Sequence, residues 1–290
     1  MMTLDGGGGS YWGRVEKISG TAMTLQHNAS SGQGCFPGGN VCVLDGTATG
    51  QCRRIVSCAD SNKTAGSSKR HFVLEAPFPT APDNTSLLTI VGYLGRALFI
   101  GNHWADGGSV QLFAQAFDVI VAECKFERMG GLIAWGRSEL TSPQYMHGWD
   151  PNIHVQFLDN MFIEGQHLWV YNGCDNGCEV YRPGGANTIE PYSIGALSNE
   201  QPKSNGDTFT GALNRFLVFT NNSIDSNGGI LLGGTSASML VDRNTVRESD
   251  FGILVNASVH EGIVLGKNDA KLEMQGVATV ITPHKVLLKV

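Results

Sequence analysis

The stretch FTNNSIDSNGGILLGG at residues 219–234 is followed by LVDRNTVRESDFGILVNAS at residues 240–258, and the two superimpose when shifted by 22 residues. Three earlier copies can be aligned to them: FIGNHWADGGSVQLFA at 99–114, IVAECKFERMGGLIAWG at 120–136 and FLDNMFIEGQHLWVYNG at 157–173. Each copy runs from an apolar stretch to an Asn or its stand-in, an apolar residue two positions on, a polar turn with Gly, and a second apolar stretch. The anchors are Asn102, Cys124, Asn160, Asn222 and Asn244, spaced by 22, 36, 62 and 22 residues, so two intervals carry insertions. A repeat of this length marks a solenoid, in which each unit buries its apolar face against its neighbours.

The apolar stretches are three to five residues long and rich in β-branched residues, and no segment keeps helical periodicity for three turns. Each therefore reads as a short strand, with Gly, Asn and Asp supplying the positive-φ turns. Three strands and three turns fill one repeat, which is one coil of an all-β, parallel β-helix. Rungs then stack at ~4.8 Å. Asn at the same turn of successive coils would hydrogen-bond along the stack, and Trp104, Phe126, Phe162, Ile224 and Val246 would fill the interior. Counting four past each anchor places Arg128 between Asp106 and Glu164, an expected surface ion ladder.

These N-x-φ-x-x-x-x-G-φ-φ-φ units resemble those of the right-handed parallel β-helix proteins of the pectin-lyase-like superfamily, over about 87–268. The resemblance implies a right-handed single-stranded β-helix and leaves the chemistry open, because the superfamily holds lyases, glycoside hydrolases, phage tailspikes and inactive members. The expected organisation is a flexible leader at 1–10, a β-rich lead-in segment at 11–92 with irregularly spaced strands, and coils at 93–290 interrupted by long insertions at 137–154 and 174–215.

The chain has 290 residues and a formal charge of −6, with Lys and Arg scattered, which excludes the basic footprint of a nucleic-acid binder. No apolar run is long enough for a membrane span. The expected partners are a polysaccharide or surface glycan, and a further copy of the chain through the ends or side faces of the helix.

Seven cysteines suit an oxidising, extracellular or cell-surface setting. The preferred pairing is local, Cys35 with Cys42, Cys52 with Cys58 and Cys174 with Cys178, leaving Cys124 as a buried thiol; cross-pairing among the first four stays open. Sequons at Asn28, Asn62, Asn84, Asn221 and Asn256 permit glycosylation.

Function is expected where the repeat is broken. Both insertions are read as leaving after equivalent strands, LIAWG and LWVYNG, and walling a groove between them. Trp135, Trp149, Trp169 and Tyr171 offer ring faces to pyranoses, and Arg137, His154, His167 and Arg182 offer hydrogen bonds. His147, Asp150 and Glu164 are the candidate acid–base groups of a lyase or hydrolase. Packing of the loops onto the helix accounts equally for the aromatics, and a non-catalytic structural module is the alternative. No motif demands a cofactor. Calcium is one ion for which Asp150, Asp159 and Glu164 with Arg137 and Arg182 could serve, as in calcium-dependent lyases, though no motif fixes their geometry. Cys174, Cys178, His167 and His154 make a less favoured zinc set.

Overall fold

A computed structural model of the chain describes residues 2–5, 11–25, 37–60, 70–92, 94–113, 115–142, 145–164, 192–198, 203–204, 207–208, 214–225, 228–247, 249, 252–276 and 280–281. Among these every regular element is a β-strand. Strand β1 (Met2–Asp5) pairs in parallel with residues 110–113, so this part of the expected leader is a strand of the stack. Its Thr3 and Leu4 lie beside Gln111 and Leu112, where an unpaired backbone edge would otherwise stand.

The next six strands close into a barrel in the order β2-β3-β6-β5-β4-β7: β2 (Tyr11–Ser19), β3 (Ala22–Leu25), β4 (Asn40–Asp45), β5 (Cys52–Asp60), β6 (Arg70–Leu74) and β7 (Leu87–Val91). All its pairings are antiparallel. Alternating apolar residues point inward, and Met23, Leu25, Val41, Val43, Ile55, Phe72, Leu88 and Ile90 form a core of the barrel's own. Alternation specifies strands but not which edges meet, which is why the closure is not visible in the lead-in sequence.

The rest of the chain visits three parallel ladders in turn. The first coil supplies β8 (Leu94–Gly95), β9 (Leu98–Ile100) and β10 (His103–Phe113); the second supplies β11 (Ala116–Ala122) and β12 (Lys125–Ser142). After the antiparallel β13 (Tyr145–Asp150) come β14 (Asn152–Leu158), β15 (Met161–Ile163) and β16 (Tyr192–Ser198), then a small hairpin of β17 (Lys203–Ser204) and β18 (Asp207–Thr208). The later coils hold β19 (Asn214–Arg215), β20 (Val218–Thr220), β21 (Ser223–Asp225), β22 (Gly229–Asp242), β23 (Thr245–Arg247), β24 (Ile253–Leu265), β25 (Leu272–Gly276) and β26 (Val280–Ile281).

Register follows the anchors. In the first ladder Phe99, Val121, Phe157, Phe219, Val241 and Leu265 stack one over another; in the second, Trp104, Phe126, Phe162, Ile224 and Val246 do so. The third aligns Leu112, Ala134, Ala196, Leu232, Val255 and Met274. Most of these inward residues share one core, in which the Phe126 ring stacks on Phe162 at 4.5 Å and on Trp104 at 4.9 Å.

The Asn column forms as expected. Nδ2 of Asn160 donates to Oδ1 of Asn222 at 3.0 Å, Asn222 to Asn244 at 2.9 Å, and Asn244 to Asn268 at 2.9 Å. Each Oδ1 also accepts the backbone N–H of the preceding anchor, Cys124 included. The residue before most anchors takes positive φ: Gly101, Glu123, Asp159, Asn221 and Arg243. Cys124 interrupts the amide chain, and its thiol reaches the carbonyls of Ala122 and Phe99 instead, buried as expected. A second, shorter Asn pair joins Asn152 to Asn214 at 3.1 Å, both fully buried.

Candidate functional site

Two places carry the expected chemistry: the turn between the second and third ladders, and the hairpins that leave the third.

At the turn, Asp106, Arg128 and Glu164 hold positive φ in successive coils and so project side by side. Arg128 grips Asp106 with two bonds, Nε to Oδ1 at 2.5 Å and Nη2 to Oδ2 at 2.8 Å, and its Nη1 lies 2.5 Å from Glu127 and 3.6 Å from Glu164. Glu127 also accepts from Lys125 at 2.6 Å and meets His103 Nε2 at 3.0 Å. Hydrogen bonds from Lys125, Arg128 and His103 hold the Glu127 carboxyl down at about 2, and the Arg128 guanidinium lowers that of Asp106. The two carboxylates in turn raise Arg128. A carboxyl kept ionised in this way is a poor proton donor, so the cluster reads as an ion ladder.

At the third ladder the chain departs from the expected insertion pattern. Residues 132–136 of LIAWG pair with 194–198, within YSIGALS, and not with LWVYNG. The first insertion is a β-hairpin: β12 runs on past the ladder and β13 returns beside it, with Arg137 opposite Asp150 and Ser138 opposite Trp149. In the next coil β16 ends at Ser198, the register partner of Gly136, and the β17–β18 hairpin follows. The β12–β13 hairpin therefore leaves the third ladder beside the rung on which β16 ends. The 192–198 segment of the expected second insertion is itself a rung.

The candidate residues fall into separate groups. Arg137, His147, Trp149 and Asp150 share the β12–β13 hairpin. Glu164 is exposed in the ion ladder at the other end of the third ladder, on the order of 20 Å of extended strand away. The structure thus brings His147 and Asp150 onto one element and leaves Glu164 apart. Trp135 is 9% exposed and packs edge-on against Phe113 at 5.8 Å, which leaves little ring face for a ligand. His154 is wedged between Phe216, stacked at 5.0 Å, and Phe117, edge-on at 5.9 Å; burial lowers its pKa. It belongs to the seam where the rungs meet the barrel, for Phe117, Ile153 and Phe216 pack with Cys42, Leu44, Cys52 and Leu87. His167, Trp169, Tyr171, Arg182, Cys35, Cys174, Cys178, Asn28 and Asn62 lie outside the described residues.

The local cysteine pairing is corrected. Cys42 bonds Cys52, not Cys35, because the β4–β5 hairpin sets the two directly opposite with 4.2 Å between their Cα atoms. Cys58 is disulfide-bonded as well, but not to Cys52. Of the remaining sequons, Asn84 is exposed, Asn221 is exposed with its amide on the Asp159 carboxylate, and Asn256 sits in β24. Among the described residues no group of three His, Cys, Asp or Glu could hold a metal, and Asp159 is engaged by Asn221. No described helix is long and apolar enough to cross a membrane.

No protein-family model matches the chain, and no curated protein matches it. Among solved structures it is similar to the tailspike protein gp49 from Pseudomonas phage LKA1, at 8% identity and a TM-score of 0.28, over 97% of this chain and 47% of that one. The chain spans about half the length of that tailspike.

Proposed function

We propose that the chain is an extracellular, right-handed parallel β-helix that binds a polysaccharide along the corner from which the two hairpins leave. The observation that carries this reading is the β12–β13 hairpin, which leaves the third ladder at Gly136 beside its register partner Ser198; the β17–β18 hairpin follows Ser198 in the chain and is read as the second wall of one groove. Arg137, Tyr145, His147, Trp149 and Asp150 lie along one hairpin and Lys203 and Asp207 along the other, a mixture of aromatic and charged groups that suits sugar rings and their hydroxyls or carboxylates. Right-handed winding is supported by the near-universal hand of parallel strand crossovers. The Cys42–Cys52 bridge favours an oxidising compartment.

Binding without turnover fits better than cleavage, because Glu164 lies in the ion ladder far from His147 and Asp150. A purely structural role is the second reading, favoured by the salt-bridged turn and the Asn160–Asn268 column, both of which account for themselves as stabilising features. Affinity electrophoresis through gels cast with acidic and neutral polysaccharides separates the two. We expect retardation by at least one polymer, weakened tenfold or more by Trp149→Ala or His147→Ala. Unretarded migration in every gel would leave the structural reading.

A further inference from the structure

The outer side of the first ladder is an apolar strip. Between the inward residues of that ladder, the outward positions run Leu98, Ile120, Gln156, Val218, Leu240 and Val264 from rung to rung, ending at the position of Ile281. Beside them run Ile100, Ala122, Leu158, Thr220 and Asp242. Leu98 is 61% exposed, Ile100 52% and Leu240 37%, so half of the six large apolar side chains exposed among the described residues stand on this one face. The strip is roughly 25 Å tall and two side chains wide, on the order of 300 Å², the size at which an apolar patch marks an interaction site.

The corner that edges this strip says what covers it. Its exposed residues run Gly101, Glu123, Asp159, Asn221, Arg243 and Lys267, acidic towards one end of the stack and basic towards the other. We propose that the first ladder docks a second copy of this chain, antiparallel, about a two-fold axis through the rung of Val218 and Asn221. That axis sets Asp159 against the partner's Arg243 and Glu123 against the partner's Lys267, with Asn221 meeting itself. On the strip it sets Ile120 against the partner's Val264, Gln156 against the partner's Leu240, and Leu98 against the position of Ile281. A parallel two-fold would instead carry each charged corner to the far edge of the partner's ladder, leaving these charges without their complements. An isologous contact of this kind uses one patch twice and closes without growing into a fibre. The apolar strip supplies the affinity and the charged corner the direction, since exposed ion pairs contribute little net energy but penalise wrong pairings. With the corner included the contact approaches roughly 600 Å² per copy, the size of a weak dimer.

The test is sedimentation equilibrium on the full chain, produced without glycosylation because the Asn221 sequon lies on the axis. We expect a concentration-dependent mass rising towards twice 31.0 kDa. Leu240→Lys should weaken the dimer at least tenfold while circular dichroism and melting temperature stay close to wild type. Two charge variants fix the orientation: Glu123→Lys with Asp159→Lys, and Arg243→Glu with Lys267→Glu. Each should be monomeric alone, and their equimolar mixture should dimerise. A wild-type chain that stays at 31.0 kDa, a dimer indifferent to Leu240→Lys, or a mixture of charge variants that stays monomeric would each overturn the proposal.

Discussion

Asn222 shows why a polar residue recurs at a fully buried position. Its Nδ2 donates to Asn244 and to the carbonyl of Phe157, and its Oδ1 accepts from the side chain and backbone of Asn160. Asn222→Ala leaves several of these groups without partners in a dry interior, so we expect a loss of about 2–4 kcal/mol in urea unfolding. Cys124→Asn should act in the opposite direction, by about 1 kcal/mol, because an amide there would continue the column towards Asn102. Glu127 makes a claim about acidity. Its pKa is about 2 in the folded chain against 4.5 ordinarily, so its contacts stabilise the fold above about pH 4.5, and that contribution is lost as pH falls through 2. The gap between the urea midpoints of wild type and Glu127→Gln should therefore be present near neutrality and vanish at the acid end. The anchors and the Asp106–Arg128–Glu164 column were legible in the sequence because a fixed spacing turns directly into a rung position. Asn152 and Asn214 carry the same 62-residue offset as Asn160 and Asn222, a signal that would have found the second Asn pair.

At the scale of elements, legibility ends where pairing is not written in the period. LWVYNG resembles LIAWG in its bulky apolar residues and follows its anchor at the same distance, yet the ladder takes YSIGALS, with Ile194 in register with Leu132 and Ala196 with Ala134. The cysteines mislead for the same reason: nearness in sequence favoured Cys35–Cys42, whereas the β4–β5 hairpin places Cys42 opposite Cys52. That bridge ties two barrel strands together at the seam with the rungs, since Cys42 is fully buried in one cluster with Leu44, Leu87 and Ile153. Closing a ten-residue separation, it should be worth about 2–3 kcal/mol. We expect Cys42→Ser with Cys52→Ser to melt the barrel before the rungs, read as a new early transition in calorimetry; a single unshifted transition would show that the bridge is idle. Gly50 guards the same seam. A Cβ there would meet the Phe216 ring at 2.4 Å, and its φ of +86° already favours glycine.

Across the whole molecule, rungs brought into register from distant parts of the chain underlie both proposed surfaces: the hairpin corner at Gly136 and Ser198, and the apolar strip with its charge-graded edge. Met161 and Ser223, 62 residues apart in the chain, stand as neighbours on the outside of the second ladder. Nitroxide labels on Met161→Cys and Ser223→Cys test that register most directly, and the one free native thiol described, Cys124, is buried. Adjacent rungs lie ~4.8 Å apart, so the doubly labelled chain should show strong dipolar broadening at separations below about 20 Å. A spectrum equal to the sum of the two singly labelled chains would contradict the stacking, and the groove and the dimer surface with it.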